Sequence, residues 1–165
     1  LDEDNRRSYG ALAVYMCGGP IAWCVAQHDR TAGSTAVAEY YTLSRCCEKV
    51  QWLRQFHREV LSILTGTDEK MVKLDPTPIY QDNAATIMIG KGTCKQKHTK
   101  HIEIRYHICR DMVDRREVML VKLKGELMML DAINKRCASP EFTKKTRYLL
   151  GEDDISELLE DCEYD

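Results

Sequence analysis

Thr77-Pro78-Ile79-Tyr80-Gln81-Asp82-Asn83-Ala84-Ala85 carries the chain from an extended segment into a helix and leaves a carboxylate at the join. Pro78 permits only the start or edge of a strand, Ile79 and Tyr80 favour extended backbone, and Asp82-Asn83-Ala84-Ala85 reads as strand end passing into helix start. Asp82 is thereby expected at the carboxyl end of a strand, the edge where ligands and reacting groups collect in open α/β sheets. A plainer reading makes Asp82 only the cap of a helix beginning at Asn83.

Outward from this stretch, the order is hairpin, long helix, strand, helix, strand, helix. Residues 11–25 hold two short apolar runs around Gly18-Gly19-Pro20, which predicts a β-hairpin. Ser34 or Thr35 caps a helix reaching about Leu61, with Ala36, Tyr40, Leu43, Cys47, Val50, Leu53 and Phe56 on one apolar face. Glu39 lies on the border of that face, either reaching water or facing a cleft shared with other acids. After a short helix over Asn83 to Ile89, a second amphipathic helix is expected from Lys100 to Arg116, its wet side basic. Glu117 to Leu123 reads as the last strand, and Glu126 to Lys135 as a short helix carrying Asp131. The chain divides into a domain over residues 1–136 and an extension over 137–165 with an acidic tail.

The 165 residues fit one domain with a proper core, and no apolar run approaches the length of a bilayer span. The net charge of −2 hides an asymmetry. Residues 151–165 carry eight acidic side chains and no basic one, and read as disordered; residues 91–124 carry ten basic against four acidic. A basic stripe suits a polyanion, although a solvated face looks the same in sequence. The eight cysteines have no CxxC pair or regular spacing and read as reduced core thiols, pointing to an intracellular setting.

Three carboxylates on separate elements beside a basic stripe are the ingredients of metal-dependent phosphodiester chemistry. Two divalent ions about 4 Å apart need several acidic oxygens, and cationic side chains suit a phosphate backbone. The wording of the chain adds to this. Arg6-Arg7-Ser8, Gly18-Gly19-Pro20-Ile21-Ala22-Trp23, Ser34-Thr35-Ala36-Val37-Ala38-Glu39-Tyr40, Val50-Gln51-Trp52-Leu53-Arg54-Gln55, Asp82-Asn83-Ala84-Ala85, His98-Thr99-Lys100-His101-Ile102-Glu103-Ile104-Arg105-Tyr106-His107 and Leu130-Asp131-Ala132-Ile133-Asn134-Lys135 follow in this order. Together they resemble the ribonuclease H domain of copia-type retrotransposon Pol polyproteins, from about Arg6 to Lys135.

That resemblance implies an α/β fold, a ribonuclease H-like mixed sheet of five strands flanked by helices. It implies Glu39, Asp82 and Asp131 as catalytic and metal-binding acids, two Mg2+ ions (with Mn2+ as an alternative), and hydrolysis of the RNA strand of an RNA/DNA hybrid during reverse transcription. Lys97, His98, Lys100, His101 and Arg105 are the expected nucleic-acid contacts, inferred from charge. An upstream reverse transcriptase domain of the same polyprotein is the implied partner, with no membrane, and the implied place is the cytoplasm, in a virus-like particle, and the nucleus. The family's first aspartate and first strand would fall before Leu1, so the expectation is an incomplete site with little or no nuclease activity. Val37 stands where the family has a glutamate that completes a capping box with Ser34, which weakens this helix start by ~0.5 to 1 kcal/mol. The rival readings are a non-catalytic nucleic-acid-binding remnant or repurposed domain and, at unusual spacing, a zinc site from Cys94, His98, His101, His107 and Cys109.

Overall fold

The computed structural model describes residues 7–29, 31–93, 107–134, 138–159 and 162. Its elements run β1 Tyr9–Met16, β2 Gly19–Gln27, α1 Thr35–Thr65, β3 Thr77–Gln81, α2 Ala84–Gly90, α3 Ile108–Asp114, β4 Val118–Lys122, α4 Asp131–Asn134, α5 Ser139–Leu150 and α6 Ser156–Leu159. The fold is mixed α/β, as expected. Among the described residues the strands form two pairs, antiparallel β1–β2 and parallel β3–β4, rather than the single mixed sheet that the resemblance implied. The long helix α1 packs against β1 on one side and against α2 and α3 on the other, and so joins the two pairs.

The hairpin turns at Cys17-Gly18, between the paired residues Met16 and Gly19. Both turn residues have positive φ, 53° and 80°. A two-residue turn of that kind matches the right-handed twist of its strands and favours glycine at its second position. Pro20 is inside β2 rather than in the turn.

Helix α1 begins where Ser34 Oγ accepts the Val37 N–H at 3.3 Å, and it ends at Gly66 in the left-handed conformation, φ 66°. Its buried positions follow the expected stripe from Tyr40 through Leu43 and Cys47 to Val50. There the stripe departs from expectation: Arg54 is buried, and Phe56 stands exposed with its ring stacked on Trp52. An α-helix advances about 100° per residue, so Arg54, four residues after Val50, keeps the inward face that Phe56 has turned past.

The main core gathers Tyr40, Leu43, Cys47 and Val50 of α1 with Ile79, Ile87, Cys109, Met112 and Leu120. Gly90 lets α2 approach β4 closely, since a Cβ there would lie 2.6 Å from Leu120 Cδ1. Cys47 and Cys109 are core thiols, as expected, and Cys46 packs against them, whereas Cys17 is exposed; burial pushes the Cys46 thiol up to about 12, and Cys47 is raised by its hydrogen bond with Cys109 and by burial. All six described cysteines are free thiols.

The C-terminal extension is more structured than its composition suggests. Tyr148 of α5 and Leu158 of α6 are buried with Met129 in a second, smaller core, against which Tyr15 of β1 packs. Gly151 closes α5 in the left-handed conformation, and Arg147 holds Asp153 through two bonds of 2.8 and 2.6 Å. Residues 151–159, within the run expected to be disordered, therefore form a cap, a turn and a short helix. The apolar Leu158, with Ile155 packed against the same cluster, supplies the anchor that the acidic count conceals.

Candidate functional site

Asp82 lies where the sequence places it, one residue past the carboxyl end of β3. The parallel register pairs Gln81 with Lys122, and the Leu123 N–H then closes on Gln81 O at 3.0 Å. The capping alternative does not hold. Asn83 caps α2, its Oδ1 accepting the N–H groups of Ala85 and Thr86 at 2.9 and 3.3 Å, while Gln81 Oε1 accepts the Asp82 N–H at 2.7 Å. The half-buried Asp82 carboxylate is therefore not spent on the helix start. Gly125, just after β4, comes alongside it: a Cβ at that position would stand 3.9 Å from Asp82 Oδ2.

Glu39 is half-buried in the second turn of α1. Thr86, fully buried in the first turn of α2, places its Oγ1 3.3 Å from Glu39 Oε2 and 3.2 Å from Ala36 O. One hydroxyl proton serves one acceptor at a time, so Thr86 alternates between the two and ties the start of α1 to the start of α2. The same short helix is preceded by Asp82, and this brings the two acids to one corner of the molecule.

Asp131 is placed differently. It opens α4 rather than sitting inside a longer helix, because residues 125–127 form a separate 3-10 turn. Its Oδ2 lies 3.9 Å from Nζ of Lys145, a buried α5 lysine that also meets Glu141 Oε1 at 2.8 Å. A cation already stands on one side of this carboxylate.

Among the described residues no group of three or more His, Cys, Asp and Glu is arranged to hold a metal ion. Glu39 and Asp82 offer the hard oxygens magnesium takes, but Asp131 faces Lys145. In this arrangement Lys145 offsets the charge of one of the three acids that a magnesium centre would draw on. Lys97, His98, Lys100, His101 and Arg105 lie outside the described residues, as do Cys94, His98 and His101 of the zinc reading. Cys109, another member of that reading, is fully buried and bonded to Cys47 in the core. His107 sets its ring against Tyr40, centroids 6.5 Å apart.

Sequence reasoning did not single out Thr86 or Lys145. An isolated threonine in a short helix gives no signal, and Lys145 sits in a basic cluster that reads as solvated. Arg54 left a trace, a charge at the next step of an apolar stripe.

The fold is that of a mixed α/β protein with Asp82 just past a strand end and Glu39 tied through Thr86 to the helix that follows it. No family model matches the chain, and no solved structure matches it. Retrotransposon Pol polyproteins do, among them the following three. The chain is 29% identical over 134 residues to the retrovirus-related Pol polyprotein from transposon TNT 1-94 of Nicotiana tabacum, which covers 81% of the chain and 9% of that protein. It is 25% identical over 147 residues to the Pol polyprotein from transposon RE1 of Arabidopsis thaliana, and 26% identical over 148 residues to that from transposon RE2. Both of these matches cover 87% of the chain. Over most of its length the chain is thus similar to one region of copia-type retrotransposon Pol polyproteins, and it spans 9 to 10% of the length of these relatives.

Proposed function

We propose that this chain is the ribonuclease H-like region of a copia-type Pol polyprotein, acting on the RNA strand of RNA/DNA hybrids, with Glu39, Asp82 and Asp131 as its acids. The observation that carries this reading is the corner where Thr86 bonds Glu39 beside the strand end bearing Asp82, in a chain similar over 81% of its length to such a polyprotein. Contacts to 2′-hydroxyls and the groove shape of a hybrid would select the RNA strand. Magnesium, with manganese as the alternative, is part of the proposal, as are the upstream reverse transcriptase domain and a particle in the cytoplasm.

Lys145 beside Asp131 favours a second reading, a region that holds nucleic acid and cleaves it poorly. An assay of a labelled hybrid with and without magnesium separates the two readings. The expected result is slow cleavage, abolished in Asp82→Asn and in Glu39→Gln, with hybrid binding retained in chelator. Cleavage indifferent to both substitutions would sink the enzymatic reading. Rapid cleavage lost in Asp82→Asn would instead remove the impairment.

A further inference from the structure

At the opposite end of β3 from Asp82, a cleft of about 660 Å³ opens between the second half of α1, the loop leading into β3 and the turn joining α3 to β4. Six cationic side chains line it: Arg54, Arg58, Lys70, Lys73, Arg115 and Arg116. The acids on its wall are Glu69 and Glu117, and Glu117 is engaged by Arg115, whose Nε lies 3.6 Å from its Oε1. The cleft is therefore strongly positive, and like charges held together repel in the absence of an anion.

Two details show that this charge is built into the fold rather than scattered over a surface. Arg54 is 7% exposed, and its guanidinium bonds only neutral acceptors: Nη1 donates to Asp75 O at 2.6 Å and to Thr77 Oγ1 at 2.8 Å, and Nη2 to Leu74 O at 3.2 Å. Its Nε is buried with no hydrogen-bond partner among the described residues. A cation taken out of water is costly; burial and the neighbouring Arg58 disfavour its charge, Glu117 and Asp75 favour it from nearby without bonding it, and an anion in the adjoining cleft would offset more of that cost. The second detail is Arg116. It has φ 55°, the left-handed conformation that favours glycine, at the turn where the Glu117 N–H closes on Met112 O at 2.8 Å. An arginine held there projects its charge beside that of Arg115 from a position where glycine would suit the backbone better.

We propose that this cleft binds the phosphate backbone of a nucleic acid without reading its sequence, as a second contact surface remote from the acids. Five residues of β3 at about 3.3 Å each put it roughly 16 Å from the Asp82 end. The proposal takes the identity of the polyanion from the function proposed above; the positive cleft itself does not depend on catalysis. Lysine and arginine at several points along a groove release counter-ions from the phosphates they meet, so the contact should be salt-sensitive.

The test is hybrid binding by fluorescence anisotropy in chelator, where no cleavage intervenes, across a salt series. Arg116→Gly with Lys73→Ala is compared with a control of equal charge loss outside the cleft, Lys49→Ala with Lys144→Ala. The cleft variant is expected to bind about tenfold more weakly at 0.1 M salt, with the slope of log affinity against log salt lowered by about 1 to 2. Arg116→Gly relieves the left-handed backbone, so its Tm should be unchanged or higher, which separates lost binding from lost folding. Lys73→Arg, which keeps the charge, should bind as the parent does. Equal losses in cleft and control variants would overturn the proposal, because only overall charge would then matter. Displacement of the hybrid by a polyglutamate peptide at lower concentration than by single-stranded DNA would also overturn it, in favour of an acidic protein partner. The outcome is separable from the enzymatic reading, since binding is read in chelator whether or not Glu39 and Asp82 support cleavage.

Discussion

At Thr86 a single hydroxyl stands between a helix carbonyl and a candidate catalytic carboxylate. Thr86→Val keeps the shape and removes the donor, so it should cost about 1 to 2 kcal/mol in urea unfolding, since the one hydrogen bond that Thr86 shares between Ala36 O and Glu39 is lost at a buried position. Arg54→Ala should cost more, about 2 to 4 kcal/mol by the same measurement, because three bonds from a buried cation go at once. His28 gives a pH dependence. It is 3% exposed, its ring is edge-on to Tyr41, and burial first, then Arg45, lowers its pKa against the opposing pull of Asp29. The folded state therefore resists protonation that the unfolded chain accepts near pH 6.5. The unfolded chain then binds more protons, and stability contributed by neutral His28 is present above that pH and lost as pH falls below it. Urea midpoints between pH 5 and 7.5 should show this decline, and His28→Gln should flatten it. Asp82 could be located from sequence because Pro78, Ile79 and Tyr80 fix a strand before it and Asn83 a helix after it. Thr86 was illegible because its role depends on a residue 47 positions away.

Elements with strong local signals came out close to expectation. Helix α1 has a side-chain cap, a glycine stop and an apolar stripe, and it forms from Thr35 to Thr65. The helix expected around Asp131 instead breaks into a 3-10 turn and a four-residue α4, so that Asp131 leads the helix and meets Lys145 of α5. Local propensity could not foresee that meeting, which needs α5 to fold back across α4. On the function proposed above, Lys145→Met should remove the cation beside Asp131 and raise magnesium-dependent cleavage of a hybrid severalfold. Unchanged or slower cleavage would show that Lys145 does not oppose the acid. Gly90 is the point of closest approach between α2 and β4, with Leu120 Cδ1 and Cys109 Sγ filling the space a methyl would need. Gly90→Ala should lower stability by about 1 to 3 kcal/mol through overpacking, read from the thermal midpoint.

At the scale of the molecule, two packing units depend on contacts between distant segments. Helix α1 joins the antiparallel and parallel strand pairs, and the C-terminal helices close over the hairpin. Tyr15 is the link in the second case: its hydroxyl donates to Leu149 O at 3.1 Å and lies 3.4 Å from Met129 Sδ. Tyr15→Phe should lower stability by about 1 kcal/mol, a shift of roughly 2 to 4 °C in Tm for a chain of this size, and should loosen the extension to proteolysis. The sequence by itself determined the mixed α/β class, the hairpin, α1 and the strand end that bears Asp82, because alternation, helical spacing and capping residues act over a few neighbours. Tertiary structure decided that Glu39 meets Thr86, that Asp131 faces Lys145 and that six cations share one cleft. These are contacts between segments tens of residues apart, and they exist only once burial of the shared core has brought those segments together.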